Sequence, residues 1–238
     1  MKQFYLKILT VLFLSVSLIG CDSQAPINNS ATATVQPRKA RTIWDRMARN
    51  SQINTHIKNP RVQQYIKFYE RRNAEDLIKF TEFSAPYIYH IVTSLEAQGM
   101  PAELALLPII ESEYRPHALS KMGAAGIWQI AAMTGRLYGL KQDQWYDGRK
   151  DIDAATGMAL DYLEALYEQF DHDWLLALAA YNCGDGCVSQ AIKRNKRQGK
   201  PTDFWSLNLP KETKHFVPKF LAVAYMIQNA KSLGLELA

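Results

Sequence analysis

Residues 103–140 read ELALLPIIESEYRPHALSKMGAAGIWQIAAMTGRLYGL, and the interpretation of the whole chain turns on the first third of that stretch. Leu104-Ala-Leu-Leu-Pro-Ile-Ile110 is almost wholly apolar and ends abruptly on Glu111-Ser112-Glu113. Residues 102–110 are rich in helix formers, but Pro108 lacks an N–H and its ring clashes with the carbonyl four residues back. This pattern predicts a helix kinked at Pro108, with one further turn to carry Glu111. A carboxylate at the end of such a helix stands at the lip of the core and loses part of its hydration. Desolvation disfavours the charged form and raises the pKa, as a general acid near neutral pH requires. Glu113 follows two residues later and diverges by about 200° around a helical turn, so only one of the pair can face a cleft. The apolar run places Glu111 there and leaves Glu113 as a surface or capping carboxylate.

Downstream, Gly123-Ala-Ala-Gly-Ile-Trp-Gln129 brings small residues that let backbone approach a ligand closely. Trp128 is read either as a stacking face or as a core ring, and Gln129 supplies an amide.

Outward from this stretch the periodicity is helical. Val62, Tyr65, Ile66 and Tyr69 share one face, as do Ile88, Ile91, Val92 and Leu95 before Gly99. Ser84 is expected to cap the helix that has Pro86 in its first turn. Asp153 is expected to cap one lined by Ala155, Ala159, Tyr162, Leu163, Leu166 and Phe170, and Asp173 the apolar run after it. Pro201 separates the next helix from a last one that presents Phe216, Phe220, Val223, Ala224 and Ile227. No strand-like alternation of useful length and no internal repeat occur, so the expected class is all-α. A formal charge of +5 over 238 residues is mild and points to no nucleic-acid partner.

Four motifs fall in chain order: Glu111-Ser112, Gly126-Ile-Trp-Gln129, Ala180-Tyr-Asn182 with Gly184 and Gly186 behind it, and Leu209-Pro-Lys-Glu-Thr213 with Val217-Pro218. Together they resemble the catalytic domain of the soluble-lytic-transglycosylase type, over roughly residues 42–238. The resemblance implies a lysozyme-like, mainly helical domain that cuts the glycan strand of peptidoglycan between N-acetylmuramic acid and N-acetylglucosamine. It implies a single-glutamate mechanism with Glu111 as acid and then base. Ser112 would orient it, and Trp128, Gln129, Tyr181, Asn182 and Phe216 would line the substrate site. Phe216 departs from the pattern, because the family commonly has Tyr there. A hydrolase resembling goose-type lysozyme and a catalytically weak wall-binding lipoprotein stay open as alternatives.

The chain begins with a positive segment holding Lys2 and Lys7, followed by an apolar run over residues 8–19, which fits a signal peptide over 1–20. Leu18-Ile19-Gly20-Cys21 resembles the lipobox of bacterial lipoproteins, which implies lipidation of Cys21, a membrane anchor and a periplasmic location. Residues 21–41 are then a polar tether. Beyond Cys21 only Cys183 and Cys187 remain, and a disulfide or two buried thiols both stay open. Their spacing has no nearby His and no second Cys pair, and the five His are scattered, so neither a metal nor any other cofactor is expected. Lys193, Arg194, Lys196, Arg197 and Lys200 form a basic run, read as a solvated helix face.

Overall fold

The apolar periods of the sequence become helices in the structure, a computed structural model that describes residues 42–71 and 75–238. The signal segment, Cys21 and the tether lie outside the described residues. Among the described residues ten helices follow in order: α1 (Ile43–Arg49), α2 (Pro60–Arg71), α3 (Glu75–Ser84), α4 (Ile88–Ala97), α5 (Leu107–Ser112), α6 (Ala132–Leu137), α7 (Ile152–Gln169), α8 (Trp174–Cys183), α9 (Asp185–Arg197) and α10 (Lys211–Gln228). Tighter 3-10 turns precede α5 (Ala102–Leu106) and α10 (Phe204–Ser206). Among the described residues the only β pairing is isolated bridges, Leu119 with Ala125, Ala125 with Ile130 and Gln142 with Asp147. The domain is all-α as expected. No described helix is long and apolar enough to cross a membrane.

α8 sits at the centre. Leu175 to Ala180 are buried without a polar interruption, and a helix apolar on every side belongs in the interior. Asp173 caps it as expected, its carboxylate accepting from the amides of Leu175 and Leu176 at 2.8 and 3.2 Å. α7, α9 and α10 pack around it, and α10 also packs on α2. α10 buries Phe216, Val217, Phe220, Leu221 and Val223. Each such large apolar side chain contributes about 1.5–3 kcal/mol when fully withdrawn from water.

Three local expectations are corrected. Pro108 does not kink a helix. The segment before it is 3-10, and Pro108 falls in the first turn of α5, where no N–H is needed. Asp151, not Asp153, caps α7, accepting from the amide of Ala154 at 2.9 Å, while Asp153 lies within the first turn. Ser84 ends α3 instead of starting α4, and its hydroxyl donates back to the Thr81 carbonyl at 2.7 Å. Gly99 does stop α4, with φ +68°.

Candidate active site

α5 is short, and its end is fixed by backbone geometry. Glu113 (φ 56°) and Tyr114 (φ 59°) both adopt left-handed conformations and turn the chain out of the helix immediately after Ser112. Tyr114 is buried and its hydroxyl donates to the Ala105 carbonyl at 2.5 Å, closing the turn. Glu103 is fully buried behind it, and its Oε1 accepts from the amides of Gln52 and Ile53 at 2.8 and 2.6 Å. Burial pushes the Glu103 pKa up against those hydrogen bonds.

Glu111 is half-buried at the end of α5. Its pKa is pushed up to about 8, chiefly by burial and further by the charge of Glu212, with Lys219 pulling the other way. Glu212 and Lys219 stand on α10 with Phe216 between them, at i, i+4 and i+7, so all three share one face of that helix. Burial lowers the Lys219 pKa, while Glu113 and Glu111 oppose the shift. Glu113 itself is partly exposed and pairs with Arg115 at 3.8 Å.

Opposite α5 runs the loop over residues 123–130, held through its main chain. Ser112 Oγ donates to the Ile127 carbonyl at 2.8 Å, and Tyr181 Oη donates to the Trp128 carbonyl at 2.7 Å. Gln129 Nε2 donates to the Gly126 carbonyl at 2.8 Å, and Gln129 itself sits at φ 50°. The largely buried Arg149 donates to the carbonyls of Gly123 (2.6 Å) and Ile130 (3.3 Å) while pairing with Asp147 at 2.7 Å. Gly126 is obligatory: its φ is +80°, and a Cβ built there would lie 1.8 Å from the Arg149 carbonyl oxygen.

A cavity of about 260 Å³ opens beside this loop, bordered by Gln129, Thr134, Tyr162, Tyr181, Asn182 and Gly184 among others. Glu111 does not line it. Tyr181 joins the two, because burial and then the Glu111 charge hold its hydroxyl pKa well above the usual range. Asn182 Oδ1 accepts from Thr213 Oγ1 at 2.8 Å, tying the last turn of α8 to the first turn of α10.

Gln129, Tyr181 and Asn182 thus gather at one cavity, and Ser112 stands directly behind Glu111. Two expected roles change. Trp128 is fully buried, and its Nε1 donates to Thr156 of α7 at 3.1 Å, so its ring is part of the core and not a stacking platform. Ser112 spends its hydroxyl on the loop carbonyl and not on Glu111, so any influence on the carboxylate passes through the backbone. Phe216 is largely buried on the α10 face that carries Glu212 and Lys219. Those two charged residues went unnoticed in the sequence, although their spacing around Phe216 was the available signal. Cys183 and Cys187 form a disulfide with Cα atoms 5.9 Å apart.

The chain that builds this helical domain is similar to known proteins. Residues 89–204 match the family described as Transglycosylase SLT domain. Just under half of the chain is thus similar to that domain. It is 41% identical, over 98% of its length, to the membrane-bound lytic murein transglycosylase D of Escherichia coli strain K12, and it spans 56% of that protein. A putative tributyltin chloride resistance protein of Alteromonas sp. strain M-1 is 41% identical over 50% of this chain and 58% of its own. Among solved structures, an inactive mutant of lytic transglycosylase Slt from Pseudomonas aeruginosa is 22% identical, with a TM-score of 0.46, covering 61% of this chain and 24% of that one. The chain thus spans little more than half the length of each of these two curated relatives.

Proposed function

We propose that this chain is a peptidoglycan lytic transglycosylase, a carbon–oxygen lyase that cuts the bond between N-acetylmuramic acid and N-acetylglucosamine without water. The observation that carries this reading is Glu111, shielded enough that its pKa is pushed up to about 8 and it holds a proton at neutral pH. Glu111 donates that proton to the glycosidic oxygen as the C1–O bond breaks, releasing the leaving sugar as an alcohol. The substrate's own N-acetyl oxygen covers the anomeric carbon. The muramoyl C6 hydroxyl then attacks C1, its proton returns to Glu111, and a 1,6-anhydro ring closes. Both steps use one carboxyl group, and the second is intramolecular, which replaces capture of a free water by an oriented neighbour. Ser112 and Tyr181 position the loop against which the sugar lies, with Gln129 and Asn182 bordering the cavity. The name of the membrane-bound relative supports a substrate in murein and a place at a membrane. Lipidation of Cys21 would supply that anchor in the periplasm.

The experiment is digestion of purified glycan strands by wild type and Glu111→Gln, with products identified by mass. Cleavage that vanishes in the variant, with products one water lighter than hydrolysis would give, supports the reading. Full activity in Glu111→Gln overturns the assignment of the acid. A hydrolytic reading also has an observation in its favour, since Glu212 is a second carboxylate close enough to raise the Glu111 pKa. Products with reducing ends would select it.

A further inference from the structure

α8 ends and α9 begins with a single residue between them. Gly184, at φ +88° and ψ 148°, is at once the C-cap of α8 and the N-cap of α9. A residue that alone joins two helices is where the angle between them is set, because a change in its two torsions swings one helix against the other. Nothing wedges it: a Cβ at Gly184 would meet no atom within 4 Å. α9 has no side-chain cap, and its first turn is held by the Gly184 carbonyl, which accepts from Cys187 N at 3.1 Å and Val188 N at 3.4 Å. The disulfide straddles this point, joining the last residue of α8 to the first turn of α9. Both cysteines are half-buried, so a small thiol can reach them.

The residues next to the hinge belong to the cleft. Tyr181, Asn182 and Gly184 border the cavity. Tyr181 carries the hydrogen bond to the Trp128 carbonyl and Asn182 the one from Thr213. We propose that the Cys183–Cys187 disulfide is a positioning element of the active site, a clamp across the Gly184 hinge that fixes Tyr181 and Asn182, and that its reduction lowers the cleft's hold on sugar while the fold stands. Val188 and Ala191 are buried against the core, contacts that do not involve the sulfurs, so α9 is expected to stay docked after reduction. The step is thiol–disulfide exchange with a dithiol reductant. One thiolate attacks a protein sulfur, the S–S bond breaks, and the second thiol of the reductant resolves the mixed disulfide. The protein gains two electrons and two protons, and the reductant leaves as a disulfide.

The effect on turnover rests on the glycan-cleaving reading above, whereas the clamp itself does not, so the test has two readouts. Wild type, oxidised and after treatment with dithiothreitol, is compared with the Cys183→Ser/Cys187→Ser double variant, on glycan strands and by amide hydrogen exchange. Reduction should lower kcat/KM by about tenfold, mostly through KM, because small misplacements at a cleft wall carry costs of that order or more. Reoxidation should restore it, and the double variant should hold the low value with or without reductant. Exchange should quicken over residues 181–187 and stay unchanged in α7. Equal exchange over 181–187 in both redox states overturns the clamp. So does exchange that quickens throughout the domain, which would make the bridge a general staple. If the oxidised protein cleaves nothing, the proposed function fails and the exchange result still decides the clamp.

Discussion

Replacing Gly126 by alanine tests the loop geometry most directly. The added Cβ would stand 1.8 Å from the carbonyl oxygen of Arg149 and 2.9 Å from its carbonyl carbon, both backbone atoms that cannot rotate away. Two costs combine. The left-handed φ of +80° costs alanine about 1–2 kcal/mol, and relieving the overlap costs about 1–3 kcal/mol more. Gly123 provides the control, since its φ of +82° is similar but a Cβ there meets nothing within 4 Å. Gly123→Ala should therefore show the torsional cost alone. Each kcal/mol moves the melting temperature of a chain this size by about 2–4 °C, so Gly126→Ala should melt about 4–20 °C below wild type and clearly below Gly123→Ala. Activity should fall further than stability in the folded fraction, because the shifted loop carries the carbonyls that hold Ser112 and Tyr181. Thermal unfolding of the three proteins is the assay. A Gly126→Ala protein no less stable than Gly123→Ala would refute the close approach to Arg149.

Three further outcomes follow from the two buried carboxyl groups and from the ring on α10. The acid form works only while protonated, so kcat/KM should fall as pH rises through about 8; Glu212→Gln should move that limb down and Lys219→Met up, and a limb that ignores both would separate α10 from the acid. Burial raises the Glu103 pKa in the folded state above its unfolded value, so this carboxylate favours folding at low pH and loses that contribution as pH rises through the raised pKa. Urea unfolding at pH 5 and pH 8 should therefore show the stability difference moving in favour of Glu103→Gln at the higher pH, and an unchanged difference would remove Glu103 from the linkage. Phe216→Tyr should raise turnover severalfold, since one added hydrogen bond is worth about 0.5–1.5 kcal/mol; unchanged or lower activity in a folded variant would mean that the largely buried site has adapted to Phe.

Where sequence reasoning succeeded, the information was local. The faces of α2, α4 and α7 could be read because burial recurs with the helical period, and Val62, Ile66, Ile91 and Leu163 are all buried. The helical divergence expected between Glu111 and Glu113 does not apply, because Glu113 lies beyond the end of α5 in a left-handed turn, and that turn sets their separation. The misreadings were about partners. Asp151 and Asp153 are equally good caps by composition, and only the backbone shows which carboxylate reaches the Ala154 amide. Trp128 has a large ring and one donor, and nothing in its neighbours announced that Thr156, 28 residues on, would take that donor inside the core. Glu212 and Lys219 act on Glu111 only because α10 packs against α5, a contact between segments about a hundred residues apart.

The loop opposite Glu111 is gripped at five of its peptide carbonyls, those of Gly123, Gly126, Ile127, Trp128 and Ile130. Peptide oxygens do not titrate, and the hydroxyl and amide groups of Ser112, Tyr181 and Gln129 that grip them keep their protons across the range in which Glu111 changes charge. The architecture therefore separates the part that responds to acidity from the part that must not. In the proposed mechanism Glu111 loads and unloads a proton every cycle beside a wall with no reason to shift in response. Holding that wall by main chain also frees its side chains for other work, which is how Trp128 comes to face inward and serve the core.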